Sequence, residues 1–361
     1  MLLKMAKKSS KKMLVHQPQR RPSLRDLAKK IGVSHTAVAM ALRNEPGCSP
    51  DLRERIKRIA VDEGYIVSDV TQNLISGGSS TIGIIVPSLY SPFINALVTG
   101  ISDALWEKQL IPFVLCSELD LVREQQMLKA LATKRVGGVI IMPSREDRGE
   151  NHFVQLLKQH TPIVAVNNLL PNAHIPMVAS DDILGGRLAT DHLIARGHKH
   201  IVHFSPVLDN VNTDCRREEG YVRSMKKAGL KPEIACVSGR RVNLDETLLA
   251  LETYFATARG RKTTAVFATN DQMAYCVYVY AQRHGLEIGK DLALVGYGNV
   301  RAAIVSAADA VDVLHPSLST IEQHPTQWGK AAVQMLSRIS SGQPVAQETM
   351  VEPTLIIRGS S

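Results

Sequence analysis

The chain has 361 residues, enough for two or three domains, and its composition (44% hydrophobic, 21% charged) is that of a globular protein with a sizeable core. No apolar run reaches the ~18–20 residues of a membrane span, the basic N-terminus lacks the apolar stretch of a secretory signal, and five widely spaced cysteines without a C-x-x-C pair argue against a disulfide framework or a zinc finger. A cytoplasmic protein is expected, and the net charge of +9 points to a polyanionic partner. That charge is uneven: residues 1–21 carry +7, residues 22–80 carry +1 and residues 81–361 carry +1.

Residues 1–21 are rich in Lys, Arg and Ser and show neither helical nor strand period, so they read as a disordered basic tail. Residues 22–66 read as three short helices. Ser23 followed by Asp26 is a capping box, and Leu24, Leu27, Ala28 and Ile31 then mark one helical face ended by Gly32. Ser34 can cap a second helix with Ala37, Val38, Ala41 and Leu42 as its apolar residues. Ser49-Pro50 opens a third, with Leu52, Ile56, Ile59 and Ala60 on its face and Gly64 as its stop. The tight turn between the first two helices is the helix-turn-helix pattern, which sets the first turn of its second helix against base edges in the major groove.

The predicted base-reading residues are therefore Ser34, His35, Thr36, Ala37, Ala39 and Met40. His35 and Thr36 can hydrogen-bond bases or phosphates, and Ala39 and Met40 offer apolar contact to thymine methyls. Arg53, Arg55, Lys57 and Arg58 of the third helix can neutralise phosphates. Any small three-helix unit shows the same pattern, and with Asp51 and Glu54 interleaved the basic cluster also suits a solvated face. Residues 67–80 hold a short segment at 68–75 and then a Gly/Ser-rich linker.

Residues 81–361 alternate short β-rich runs with stretches long enough for crossover helices. Strands are predicted at 82–86, 111–115, 136–142, 163–166, 177–179, 200–204, 265–268 and 292–296, with a late strand around 319–321. This is the signature of an α/β domain built on doubly wound parallel sheets, and its size favours two subdomains. No internal repeat is visible. Ligands of such sheets sit beyond the carboxyl ends of strands. Strand-end residues are the cleft candidates: Phe93, Asn167, Asn270, Asp271, Gly298 and Gln323, together with Arg217. Asn270-Asp271 can equally be a helix N-cap, and Arg217 a structural ion pair.

Enzyme chemistry finds little support. His192, His198, His200 and His203 invite a metal site, but His200 and His203 fall on opposite faces of a strand and no H-E-x-x-H or paired Cys accompanies them. The Gly-Gly pairs at 77–78, 137–138 and 185–186 fit neither G-x-G-x-x-G nor a P-loop, and no G-x-S-x-G elbow occurs. No metal, cofactor or membrane contact is expected. The alternative of a plain solute-binding protein is opposed by the helix-turn-helix and the lack of an export signal.

Residues 24–44 (LRDLAKKIGVSHTAVAMALRN), 49–56 (SPDLRERI), 63–65 (EGY), 82–87 (IGIIVP), 91–93 (SPF), 136–140 (VGGVI), 189–201 (ATDHLIARGHKHI), 217–221 (REEGY), 270–274 (NDQMA), 291–297 (DLALVGY), 318–323 (LSTIEQ) and 329–332 (GKAA) together resemble the LacI-type family of bacterial transcription repressors. The resemblance spans about residues 22–358, with the motifs in the family's order and spacing. It implies a helix-turn-helix DNA-binding headpiece and a periplasmic-binding-protein-like effector domain of two α/β subdomains, crossed three times by the chain. The subdomains are expected at about 81–181 plus 325–345 and about 182–324 plus 346–361. It further implies a nucleoid-associated homodimer on double-stranded palindromic operator DNA, acting as a repressor and answering a small effector, a sugar or sugar derivative, bound in the cleft. A hinge helix at 68–75 would wedge the minor groove with Leu74, with Val70 and Thr71 beside it. The family's tetramer-forming leucine tail does not follow residue 358, so dimers are expected.

Departures from the family fall at functional positions. Val67-Ser68 stands where Pro-Asn usually opens the hinge, Thr71 where Ala is common, Gln72 where Arg is frequent, and Met40 on the reading helix. In the cleft, Asn167 and Gly298 stand where sugar-sensing members carry Asp. Two lost carboxylates beside a retained Arg217 predict an acidic or modified sugar, or a weakened ligand response.

Overall fold

The computed structural model describes residues 22–42, 44–65, 79–144, 153–167, 174–206, 212–237, 244–300 and 316–361. The chain forms two compact units, one ending at Gly77 and the other starting at Gly78.

The first unit holds α1 (Leu24–Ile31), α2 (His35–Leu42) and α3 (Pro50–Asp62). Local chemistry sets each boundary. Ser23 and Asp26 exchange hydrogen bonds, the Asp26 amide donating to Ser23 Oγ and the Ser23 amide to Asp26 Oδ2. Gly32 ends α1 at φ 79°, a left-handed position where glycine carries no Cβ penalty. Ser34 Oγ accepts the Ala37 amide at 3.1 Å, and Ser49 Oγ accepts the Leu52 amide at 3.3 Å ahead of Pro50. Leu27, Ala28, Ile31, Val38, Ala41, Ile56 and Ala60 form a single buried core between the helices.

The second unit carries two six-stranded sheets. The first is built from β1 (Thr81–Val86), β2 (Ile111–Cys116), β3 (Gly138–Ile141), β4 (Ile163–Val166), β5 (Met177–Ser180) and β11 (Glu348–Val351). Its order is β11-β5-β4-β3-β1-β2, all parallel. The helices α4 (Pro92–Trp106) and α11 (Pro325–Ser340) cover one face, and α5 (Leu121–Lys134) and α6 (Val154–Lys158) the other. The second sheet holds β6 (Ile201–Pro206), β7 (Glu233–Val237), β8 (Ala265–Ala268), β9 (Ala293–Tyr297), β10 (Ser319–Glu322) and β12 (Thr354–Ile356), in the order β12-β10-β9-β8-β6-β7. Here α7 (Asp182–Ala195) and α8 (Asn212–Lys227) cover one face, α9 (Leu244–Ala256) and α10 (Asp271–Arg283) the other. Because helices lie on both faces, central strands such as β3, β4 and β8 are buried along their whole length.

Both sheets repeat one strand order although the sequence shows no repeat: topology is shared where side chains are not. Three points differ from expectation. The edge strands β7, β11 and β12 carry no clear apolar pattern, being half-exposed, and β12 runs antiparallel to β10. The run predicted at 136–142 shortens to β3, because Val136 and Gly137 only lead into the ladder. And β11 pairs with β5, so residues 346–351 belong to the first sheet, not the second. The chain crosses between sheets after Ser180, after Glu322 and after Val351.

Close helix crossings explain glycines that matched no binding motif. A Cβ on Gly186 would lie 2.2 Å from the Arg217 carbonyl oxygen, and one on Gly220 2.3 Å from that of Ile183, so α7 and α8 touch through their backbones. In the first sheet's layer, a Cβ on Gly329 would meet Ile101 N at 2.5 Å and Leu97 O at 2.8 Å. Gly329→Ala must therefore push α11 off α4. We expect a loss of about 1–3 kcal/mol in urea unfolding; a midpoint equal to wild type would refute the crossing.

Candidate DNA-reading face and ligand cleft

In the first unit, α2 is anchored by fully buried Val38 and Ala41, which turns its first residues outward. Ser34, His35 and Thr36 are exposed, while Ala37, Ala39 and Met40 are half-buried. Ser34 spends its hydroxyl on the helix cap, and Thr36 Oγ1 stands 3.5 Å from His35 Nδ1. His35 and Thr36 are thus the polar groups that the turn presents. Met40 leans on the loop before α3, its sulfur 2.9 Å from where a Gly47 Cβ would sit, so only part of the side chain faces outward. On α3, Arg55 and Arg58 are exposed. Arg53 is not a free cation: its Nη2 donates to the Glu45 carbonyl at 2.8 Å and clips α3 to that loop. Val70, Thr71 and Leu74 lie outside the described residues.

In the second unit a cavity of about 330 Å³ opens where the chain crosses from β10 into α11, within the size range of small-molecule sites. Pro92, Phe93 and Ala96 of α4 line one side, Gly298, Asn299 and Val300 after β9 another, and Glu322 and His324 the crossing itself. Phe93 is held edge-to-face against buried Trp328, ring centroids 5.2 Å apart. Gly298 has φ +122°, a backbone state that strains any L side chain, and its amide donates to the Ile321 carbonyl at 2.7 Å. An Asp in this backbone conformation would be strained.

Two of the other predicted cleft residues, Asn270 and Asp271, bond within the scaffold. Asn270 caps α10, its Oδ1 accepting the Met273 amide at 2.9 Å. Asp271 is buried, taking Thr320 Oγ1 on Oδ1 and the Val300 amide on Oδ2, each at 2.7 Å; burial raises its pKa against those hydrogen bonds. Asn167 adopts a left-handed turn at φ 69°, its amide donating to Val178 O. Gln323 is buried and does not line the cavity.

Arg217 is committed to the protein. Its Nε donates to Asp182 Oδ1 at 3.0 Å, and its Nη1 to Thr269 O at 2.9 Å and Asp214 Oδ1 at 3.4 Å. Its guanidinium carbon stands 4.0 Å above the Tyr297 ring, whose hydroxyl also donates to Asp182. Burial alone would lower the Arg217 pKa, but Asp182, Tyr297 and Asp214 raise it. Burial raises the Asp214 pKa, and Arg217 opposes that. Nearby His203 is driven down to about 3 by burial, so it is neutral at physiological pH. These contacts occupy Nε and Nη1 of Arg217 within the protein.

Sequence reading missed Glu322, Asn299 and His324. The available signal was strand alternation. Thr320 bonds Asp271, and Glu322, two residues on, shares its face, whereas Gln323 follows the opposite side. Histidines 192, 198 and 203 bond separate partners (Ser361, Thr264 and the Phe267 carbonyl), and the described residues hold no cluster suited to a metal. No helix among them is long and apolar enough to cross a membrane.

Residues 190–361 match the periplasmic binding protein-like domain. The chain is 27% identical over 349 residues to the HTH-type transcriptional repressor PurR of Aliivibrio fischeri, covering 94% of this chain and 98% of that protein. Its fold is shared with the Lac repressor dimer bound to operator and an anti-inducer (TM-score 0.76, 22% identity, 94% of this chain and 99% of that one). It is also shared with a complex of the transcriptional regulator CelR with cellobiose (TM-score 0.63, 23% identity, 94% and 100%).

Proposed function

We propose that the chain is a transcription repressor of the LacI type, a reading supported by its match to the periplasmic binding protein-like domain and its likeness to HTH-type repressors, and that it binds a palindromic operator as a homodimer and answers a small molecule held in the cleft of its second unit. Relatives such as PurR and catabolite control protein A are regulators, which supports a regulatory rather than an enzymatic role for this chain. The observation that carries the reading is the outward first turn of α2, with His35 and Thr36 exposed above buried Val38 and Ala41. In the major groove these two residues would read base edges, Ala39 and the outer part of Met40 would contact thymine methyls, and Arg55 would hold phosphate. Ser34 would fix the helix start and Arg53 the loop. Leu74 with Val70 and Thr71 would form the minor-groove wedge, acting on nucleoid DNA in the cytoplasm.

A second copy of the chain is the proposed partner. Exposed apolar side chains support it: Trp106 ends α4 at 80% exposure, and Ile111 and Phe113 stand on edge strand β2. A sugar or sugar derivative is the proposed effector, supported by the cellobiose complex of a shared fold and by Phe93 beside polar Asn299 and Glu322. Ligand would shift the angle between the two sheets' layers and so the coupling to DNA, by roughly 1–3 kcal/mol.

Selection of random DNA by the purified full-length protein tests this. We expect an enriched inverted repeat; enrichment of no sequence, or of an unrepeated one, would overturn the reading. On that repeat, Leu74→Ala should cost about tenfold in specific affinity and leave binding to random DNA nearly unchanged. Equal loss on both would exclude the wedge.

A further inference from the structure

We infer that the ligand taken by the cleft is an amine-bearing small molecule, its protonated nitrogen paired with Glu322 and set near the Phe93 ring. This rests on the reading of the cleft as the effector site.

Four observations carry it. Glu322 is the only Asp, Glu, Lys or Arg among the described residues that line the cavity. Its carboxylate is held, not loose: Oε2 accepts Asn299 Nδ2 at 2.5 Å and Oε1 accepts the His324 amide at 2.8 Å. A carboxylate oxygen accepts two hydrogen bonds, so each can take another from a ligand. Such a pre-oriented anion favours a charged N–H donor over a hydroxyl.

Two nearby arginines among the described residues make their hydrogen bonds within the protein. Arg217 faces two carboxylates, Asp182 and Asp214, inside the protein. Arg358 stands behind Asn299, its Nη2 donating to Asn299 Oδ1 at 2.7 Å and its Nη1 to the Leu318 carbonyl at 2.6 Å. Buried Asp271 behind Gly298 offsets that charge. Among the described residues that line the cavity, the carboxylate of Glu322 is the one acidic group. Phe93 adds an aromatic ring on the facing wall, and ring faces attract ammonium groups.

The test is isothermal titration calorimetry of the full-length protein with charge-varied probes: glucosamine, glucose and glucuronate, each as monosaccharide and as β-1,4 disaccharide, and putrescine as an amine without a sugar ring. An amine member should bind about 10–100-fold more tightly than its hydroxyl or carboxylate counterpart. Glu322→Gln should remove that preference, and Phe93→Leu, which keeps the cavity apolar, should reduce it about 3–10-fold; thermal melts of both variants confirm that they fold. Three results each overturn the inference: tighter binding of a hydroxyl or carboxylate member, an amine preference that survives Glu322→Gln, or no binding by any amine probe. Operator selection by the ligand-free protein is scored separately, so a wrong ligand class and a wrong regulatory reading give different results.

Discussion

Arg217→Met lowers the stability of the second unit by about 3–5 kcal/mol at neutral pH, because it leaves Asp182 and Asp214 buried without their cation. The arginine side chain is only 9% exposed and Asp182 only 2%, so water cannot replace the lost partner. The loss depends on pH in a definite direction. Burial already raises the Asp214 pKa and Arg217 holds it back, so without Arg217 it climbs further. A carboxyl whose folded pKa lies above its unfolded value contributes stability that is full below the unfolded pKa and is lost as pH rises through the folded one. Urea unfolding of wild type and variant should therefore differ most near about pH 7 and converge toward about pH 4. Adding Asp214→Asn should recover part of the loss at neutral pH, because the two sites share one network. A variant within about 1 kcal/mol of wild type at neutral pH would show that Arg217 is not a structural cation.

Ile56→Ala should abolish operator binding without touching a DNA-facing residue. Ile56 is fully buried at the centre of the three-helix core, and truncating such a side chain costs about 2–5 kcal/mol. A unit of this size rarely holds more than about 3–5 kcal/mol in total, so the substitution spends most or all of it. Fluorescence anisotropy with the selected operator should show no specific binding. The calorimetric transition of the second unit should keep its midpoint, since the core residues of the two units form separate clusters. Retained operator affinity would mean that the core tolerates the cavity.

Much of the first unit was legible because its rules are local. Ser23, Gly32, Ser34 and the Ser49-Pro50 pair act within three or four residues of where they stand, and the helices begin beside them. Buried central strands were legible for a related reason: a strand covered on both faces is a short apolar run, and the predicted 163–166 and 265–268 coincide with β4 and β8. The edge strands β7, β11 and β12 lack that signal. In β7, Ile234 is 39% exposed and burial alternates irregularly, so no pattern announces it.

The site residues divide the same way. Asn270 was legible as a helix cap, since its partner is Met273, three residues on. The fate of Arg217 was not, because Asp182 lies 35 residues away and Thr269 lies 52 residues away. Whether Arg217, in the second turn of α8, faces a ligand or a carboxylate depends on how α7 crosses α8, which the contacts at Gly186 and Gly220 control.

By itself, then, the sequence determined the elements, their caps and the order of motifs that points to the family, because those follow from interactions a few residues long. Only the tertiary structure decided that Arg217 and Arg53 are structural cations, that Asp271 braces β10 and that Glu322 holds the charge at the cavity. Except for Arg53, whose partner Glu45 is eight residues away, those outcomes pair residues distant in the chain, and such pairings exist only once sheet register and helix crossings have brought the partners within hydrogen-bond reach.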